Sequence, residues 1–249
     1  ITIPVPTTTE GTFIYTLPNI KNQNSTLCTQ AITGQSATVT VVANTTVTLK
    51  SAVATASQSV CVNTPITDII YSIGGGGTNA TVTGLPTGVT GIYNAGVFTI
   101  SGTPTNFNTT AQTFTYTVNA TGACLPISVT GSITVNPDAT ITLTSLPATT
   151  AQELCKNTAI TNITYTIAGG GTGGTVNITI PGVNFTFAPG GMVTVSGTPT
   201  TAGTYNYTIT TTGTCVQTTA SGTIIVNELP TADFGFTVPT CENKSITFN

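Results

Sequence analysis

Phe98–Thr105 reads FTISGTPT, and Val193–Thr200 reads VTVSGTPT. The phrase returns after 95 residues, counted from Gly102 to Gly197 (197 − 102). Its first half alternates apolar and hydroxyl residues, as a strand with one buried face requires. Ser-Gly then permits a turn with positive φ, which glycine adopts without steric cost. Pro104 and Pro199 have no N–H to give a ladder, so pairing stops there. The phrase therefore reads as a strand terminator, repeated because a whole domain is repeated.

Everything around the two phrases aligns as well. CVNTPITDIIYSIGGGG begins at Cys61 and CKNTAITNITYTIAGGG at Cys155. QTFTYTVNATGAC ends at Cys124 and GTYNYTITTTGTC at Cys215. TGSITVN closes at Asn136 and SGTIIVN at Asn227. GTFIYTLPNIKNQNSTLC, Gly11 to Cys28, matches the segment that leads to Cys124, and so is the tail of an earlier repeat. The expected division is 1–43 as the end of a preceding repeat, 44–136 and 137–227 as complete repeats, and 228–249 as the start of another. The chain starts and stops in mid-pattern and is expected to be a piece of a longer protein.

In the first repeat, short alternating runs predict seven strands, near 45–53, 66–73, 79–84, 89–93, 97–101, 112–119 and 127–135. No segment carries helical periodicity. Seven short strands separated by Gly, Pro and Asn turns predict an all-β fold of tandem immunoglobulin-like sandwiches.

Composition narrows function mostly by exclusion. Of 249 residues, 4% are charged, with four Lys, no Arg, no His and no Trp, and the net charge is −3. Without Arg there is no basic surface for nucleic acid. A hydrolytic triad lacks its His. The acids are scattered, and Asp68 is replaced by Asn162 in the second repeat, so no carboxylate pair for glycoside chemistry emerges. The expectation is that the chain is not an enzyme and takes no cofactor. The cysteines lack zinc spacing. One acid at the first junction (Asp138) and two at the next (Glu228, Asp233) are too few for an interdomain calcium site. No run is long enough for a membrane helix. Gly74, Gly75, Gly76 and Gly77, and the run from Gly169, Gly170 and Gly171 to Gly174, lack the Lys-Ser/Thr and the helix of a phosphate loop. They are expected as flexible loops at one pole of each sandwich, with ligand binding as the alternative role.

GLPTGVTGIYNAGVFTISGTPT (Gly84–Thr105), FTYTV (Phe114–Val118) and PTADFGFTVPTCENKSITF (Pro230–Phe248) together resemble the PKD-like and putative-Ig tandem repeats of Bacteroidota cell-surface adhesins, among them gliding-motility adhesins. The resemblance covers the whole chain. It departs from the PKD pattern in lacking the Trp-containing strand. It implies a filamentous extracellular protein of the cell surface, exported by type IX secretion, with this segment as a structural stalk. The implied partners are neighbouring repeats, surface polysaccharide or other surface proteins. The alternative is a carbohydrate- or protein-binding module that uses the glycine-rich loops.

Six cysteines suggest an oxidising compartment. One disulfide within each repeat, Cys61–Cys124 and Cys155–Cys215, is the simplest pairing. Sandwich topology disfavours it. Cys61 precedes the strand at 66–73, and Cys124 follows a strand running to the opposite pole. Eight residues of strand span roughly 26 Å, against the ~4.4–6.8 Å between Cα atoms that a disulfide allows. In a head-to-tail array the lower pole of one repeat meets the upper pole of the next, which favours Cys61–Cys215. Cys28, Cys124, Cys155 and Cys241 would then pair with repeats outside this chain. Intradomain pairing and the sequential Cys124–Cys155 bond remain alternatives.

Overall fold

The structure is a computed structural model that describes residues 4–17, 19–21, 29–31, 34–105 and 108–233. Cys28 and Cys241 lie outside the described residues. The chain divides into two compact units, Ile1–Asn136 and Pro137–Asn249.

The first unit opens with β1 (Gly11–Thr16), β2 (Asn19–Lys21), β3 (Thr29–Ala31) and β4 (Ser36–Val41), of which β1 pairs antiparallel with β4 and β2 with β3. It continues through β5 (Thr46–Leu49), β6 (Ser57–Cys61), β7 (Ile69–Gly74), β8 (Gly77–Thr83), β9 (Val89–Asn94), β10 (Val97–Gly102), β11 (Gln112–Gly122) and β12 (Ile127–Asn136). These eight make two four-stranded sheets, β5-β7-β10-β9 and β6-β12-β11-β8. The second unit repeats the arrangement with β13 (Ala139–Leu143), β14 (Ala151–Cys155), β15 (Ile163–Gly169), β16 (Gly171–Val176), β17 (Val183–Phe187), β18 (Met192–Gly197), β19 (Gly203–Gly213) and β20 (Thr219–Asn227). Its sheets are β13-β15-β18-β17 and β14-β20-β19-β16. Among the described residues all pairings are antiparallel except β6 with β12 and β14 with β20, which are parallel.

Alternation sorts the side chains. Along β11, Tyr116, Val118 and Ala120 are buried while Thr113 and Thr115 face out. Ile69, Tyr71, Ile73, Phe98, Ile100 and Ile133 join them in the first core. The second core uses equivalent positions but exchanges volume between strands. Phe98 becomes Val193, and Gly91, which lies over the Phe98 ring, becomes Phe185. Phe185 meets Tyr207 edge to face at 5.6 Å. The aromatic ring has moved from β10 to β17, the counterpart of the neighbouring β9, and valine rather than glycine stands opposite it.

The outer face of β6-β12-β11-β8 carries only neutral polar side chains over most of its area. Ser57 and Ser59 stand beside Ser132 and Thr134, these beside Thr115 and Thr113, and Thr117 and Asn119 beside Thr83 and Thr81. Neighbouring hydroxyls bond across strands, Ser57 to Ser132 and Thr113 to Thr134, each at 2.9 Å.

The repeated phrase terminates strands as expected: β10 ends on Gly102 and β18 on Gly197, with φ of 132° and 134°. It also clamps its surroundings. The Gly102 carbonyl accepts from Ile66 N–H (3.0 Å) and the Pro104 carbonyl from Asn63 N–H (2.9 Å), and Gly197 and Pro199 do the same for Ile160 and Asn157.

Two expectations are corrected. Each repeat has eight strands rather than seven. The run expected at 45–53 ends at Leu49, and after a 3-10 turn at Val53–Ala56 the chain crosses to the other sheet as β6. Gln58 secures that crossing: its Nε2 donates to the carbonyls of Thr55 (2.9 Å) and Thr67 (2.8 Å), and its Oε1 accepts from Thr67 N–H (2.9 Å). Gln152 makes the same three bonds to Thr149 and Thr161. Gln58→Ala is expected to destabilise the first repeat by about 1–2 kcal/mol, leaving two backbone carbonyls and an N–H unmatched. In urea unfolding the transition of the first repeat moves and that of the second stays.

The glycine runs are not flexible loops. Gly74 ends β7, Gly77 begins β8, and Gly75-Gly76 is the tight turn between them. A Cβ on Gly75 would lie 1.9 Å from the Asn44 carbonyl oxygen, and one on Gly76 2.3 Å from that of Ala43. Gly169 and Gly170 meet the carbonyls of Asp138 and Pro137 in the same way, both at 2.2 Å, and Gly171 opens β16. Glycine stands at these turns because the lead-in segment of each repeat runs directly against them.

Candidate functional site

The two poles of each repeat are defined by backbone register, and the cysteines lie at those poles. Cys61 ends β6 opposite Asn136, the last residue of β12. Cys155 ends β14 opposite Asn227, the last residue of β20. Cys124 lies two residues beyond β11, where Ala123 N–H donates to the Gly76 carbonyl (3.3 Å). Its Sγ–H donates to the Val42 carbonyl at 3.5 Å. Cys215 occupies the same place in the second repeat. Val216 N–H donates to Asp138 Oδ1 (3.2 Å), and the Val216 carbonyl accepts from Ala139 N–H (2.9 Å). Gln217 Nε2 donates to the Cys215 carbonyl at 2.7 Å.

Within a repeat, then, Cys61 and Cys124 are at opposite ends of the hairpin β11–β12. The ten residues of β12 separate them by roughly 30 Å. Cys61 and Cys215 are disulfide-bonded. Cys124, half-buried, and Cys155, exposed, are free thiols. Cys61–Cys124 and Cys155–Cys215 bonds are thereby absent from the structure, and so is Cys124–Cys155.

The acids at the poles serve the backbone and neighbouring polar side chains. Asp138 caps Val216 N–H, Glu153 accepts from Asn227 Nδ2 (2.9 Å), and Glu228 pairs with Lys156 at 3.5 Å. Among the described residues no three His, Cys, Asp or Glu are grouped closely enough to hold a metal ion. No helix of the described residues is long and apolar enough to cross a membrane. Thr172 and Gly173 line a surface concavity with Phe187, Pro189 and Met192. Gly74, Gly75, Gly76, Gly169 and Gly170 are committed to the turns described above.

Sequence reasoning missed a buried pair of tyrosines in each core. Tyr71 and Tyr116 share a hydrogen bond of 3.0 Å, Tyr116 Oη also donates to the Ala56 carbonyl (3.2 Å), and Tyr165 and Tyr207 are 2.9 Å apart. The visible signal was the Tyr recurring in YTV and YTI at the same place in each repeat. Burial, reinforced by the hydrogen bond shared with the partner tyrosine, pushes the Tyr116 and Tyr207 hydroxyls well above the usual phenol range. The folded state thus keeps a proton that the unfolded chain gives up. The contribution is complete below about pH 10 and is lost as pH rises beyond it. Melting followed by circular dichroism from pH 8 to 12 is expected to be level up to about pH 10 and to fall steeply above. A level profile throughout would show that the hydroxyls are not held neutral.

No protein-family model matches the chain, and no curated protein matches it. Solved structures do. The I-band fragment I67–I69 of titin is 11% identical with a TM-score of 0.50, over 69% of this chain and 63% of that one. A three-Ig structure of titin I67–I69, an E-to-A variant, is 12% identical with a TM-score of 0.52, over 78% and 69%. The chain thus spans about two thirds of the length of these relatives. The likeness establishes tandem immunoglobulin-like sandwiches as the fold.

Proposed function

We propose that this chain is a stalk segment of an extracellular filamentous protein, a bacterial cell-surface adhesin of the PKD-like repeat type that serves attachment or gliding, and that Cys61–Cys215 staples its two complete repeats together. In this reading 44–136 and 137–227 are the complete repeats, and the partners are neighbouring repeats of the same chain. The observation that carries the reading is the oxidation pattern. Cys61 and Cys215 are both disulfide-bonded, while the thiols that intradomain bonds would consume, Cys124 and Cys155, are free. Cys61 adjoins Asn136, and Cys215 adjoins the pair of bonds from Val216 to Asp138 and Ala139, so each is within two residues of the 136–137 junction by its own unit's register. An oxidised pair fits an oxidising compartment. Tandem sandwiches with few charges suit a spacer.

Non-reducing peptide mapping tests it. A peptide joining Cys61 to Cys215 is expected, and one joining Cys61 to Cys124 would overturn the staple. The concavity at Thr172, Gly173 and Met192 supports a second reading, a glycan- or protein-binding module. A glycan array on the chain would reveal it, and Met192→Lys would then abolish the signal.

A further inference from the structure

The two complete repeats differ along one edge. β9 and β17 stand at corresponding edges of their sheets, and neither carries a charged residue or a proline, the usual guards of an exposed edge. In the first repeat Ile92 of β9 lies level with Thr99 and Ile70 on the outer face, and Ile92 is 65% exposed. The matching row of the second repeat is Thr186, Thr194 and Thr164, and the Thr186 hydroxyl donates to the Thr194 carbonyl at 3.1 Å. An apolar knob thus stands on the first repeat where the second is hydroxylic.

The second repeat has the opposite feature. The hairpin β9–β10 turns through Ala95 and Gly96 alone, between the paired Asn94 and Val97. The hairpin β17–β18 turns through Pro189, Gly190 and Gly191, closed by Ala188 N–H donating to the Met192 carbonyl at 2.8 Å. Gly173 takes the register position that Asn79 holds on β8, and Gly174 that of Ala80. A Cβ on Gly174 would lie 2.6 Å from Phe187 Cε1, so the ring sinks against the backbone there. A missing side chain, a sunken ring and a longer turn leave the concavity of ≈ 190 Å³ between Ile167, Thr172, Phe187 and Pro189, with Met192, 56% exposed, among its walls.

We infer that the chain binds a second copy of itself by seating Ile92 of one molecule in the concavity at Phe187 and Met192 of the other. The walls call for an apolar side chain: no charged residue lines the concavity among the described residues. Isoleucine carries no polar side-chain atom, so it leaves no hydrogen bond unmade on entering. The uncharged edges β9 and β17 set up no repulsion as the copies approach. Knob and concavity lie on different repeats, so the contact is heterologous, and each copy keeps one of the two for a further neighbour. A single contact of this size is weak, but chains anchored side by side meet at high effective concentration. The inference rests on the reading of this concavity as a protein-binding site and names the protein as another copy of this chain. It needs no particular pairing of the cysteines.

The test uses the whole chain with Cys124 and Cys155 alkylated, so that no chance disulfide joins two copies. In sedimentation equilibrium the average mass is expected to rise with concentration and to pass twice the dilute value by about 1 mM, the range of a contact that buries little surface. Ile92→Thr, which copies the second repeat, and Met192→Lys are each expected to stay monomeric. Both positions are exposed, so the melting temperature is expected to stay unchanged. Mixed one to one, the two variants are expected to pair and to stop at two, because the first keeps its concavity and the second its knob. A mass that does not change with concentration overturns the inference. So does association that survives either substitution, or a mixture that stays monomeric. A glycan-array signal that Met192→Lys removes, from a chain that never self-associates, keeps the concavity as a binding site and defeats only the contact between copies.

Discussion

Pulled by its two ends, the oxidised chain will lengthen by less than half as much as the reduced chain. The proposed bond joins residues 154 apart in sequence (215 − 61), so most of both complete repeats lies inside a closed loop that bears no extension. An extended chain spans at most about 3.3–3.6 Å per residue. By that measure 249 residues reach roughly 850 Å, and the 95 outside the loop (249 − 154) roughly 320 Å. Single-molecule stretching in oxidising buffer should show no step as long as a whole repeat. With dithiothreitol present, two such steps of roughly 300 Å each should follow. Cys61→Ser should behave like the reduced chain without reductant. Cys124→Ser with Cys155→Ser should leave the oxidised trace unchanged, since neither thiol is bonded. Two full-length steps from the untreated chain would disprove the staple.

The second large effect comes from one methyl group. Gly131 lies directly beneath the Tyr116 hydroxyl. A Cβ there would be 2.2 Å from Oη and 2.4 Å from the Ala56 carbonyl oxygen. Gly222 has the same relation to Tyr207, with 2.3 Å to Oη and 2.7 Å to the Thr150 carbonyl. Neither obstacle is the free end of a flexible chain. The tyrosine is fully buried and bonded to its partner, and the carbonyl belongs to the turn before β6. Gly131→Ala must therefore displace the tyrosine pair or separate β6 from β12. A loss of about 3 kcal/mol or more is expected, from overpacking together with a broken buried hydrogen bond. In urea the first repeat should unfold early while the second keeps its midpoint, and Gly222→Ala should do the reverse. A change below about 0.5 kcal/mol, the range of an ordinary surface substitution, would mean that the tyrosine does not sit where the structure puts it.

The repeat, the sandwich and most strands were legible because alternation survives in almost every one of them: IIYSI, FTYTV and SITV each bury one face. The strand that escaped notice, SQSVC, points Gln58 inward. Gln58 is held there by hydrogen bonds to Thr55 and Thr67, which leaves Val60 as the one apolar residue packing inward from this strand, too little alternation to read in the sequence. The glycine turns were misjudged for a related reason. What demands glycine at 75 and 76 is the backbone of residues 43 and 44, a tertiary contact that leaves no mark on local composition. Strand direction is what separates the cysteines: Cys61 ends β6 beside Asn136, and Cys124 lies beyond the far end of β11. The precision of the Cys124 position depended on the Val42 carbonyl, which only the fold brings near.

The outer wall of hydroxyls and amides has a consequence for the water around it. Most soluble proteins stay apart by carrying charge, and that repulsion changes with the ions dissolved nearby. From about 0.01 M to about 1 M salt the screening length shrinks from roughly 30 Å to roughly 3 Å. On the face formed by Ser57, Ser59, Thr113, Thr115, Ser132 and Thr134 there is no formal charge for that change to act upon, and Lys156–Glu228 is the one ion pair among the described residues. Hydration here depends on hydroxyls that both donate and accept and that stay un-ionised across natural waters. The surface should present the same hydration shell in a freshwater film as in brine.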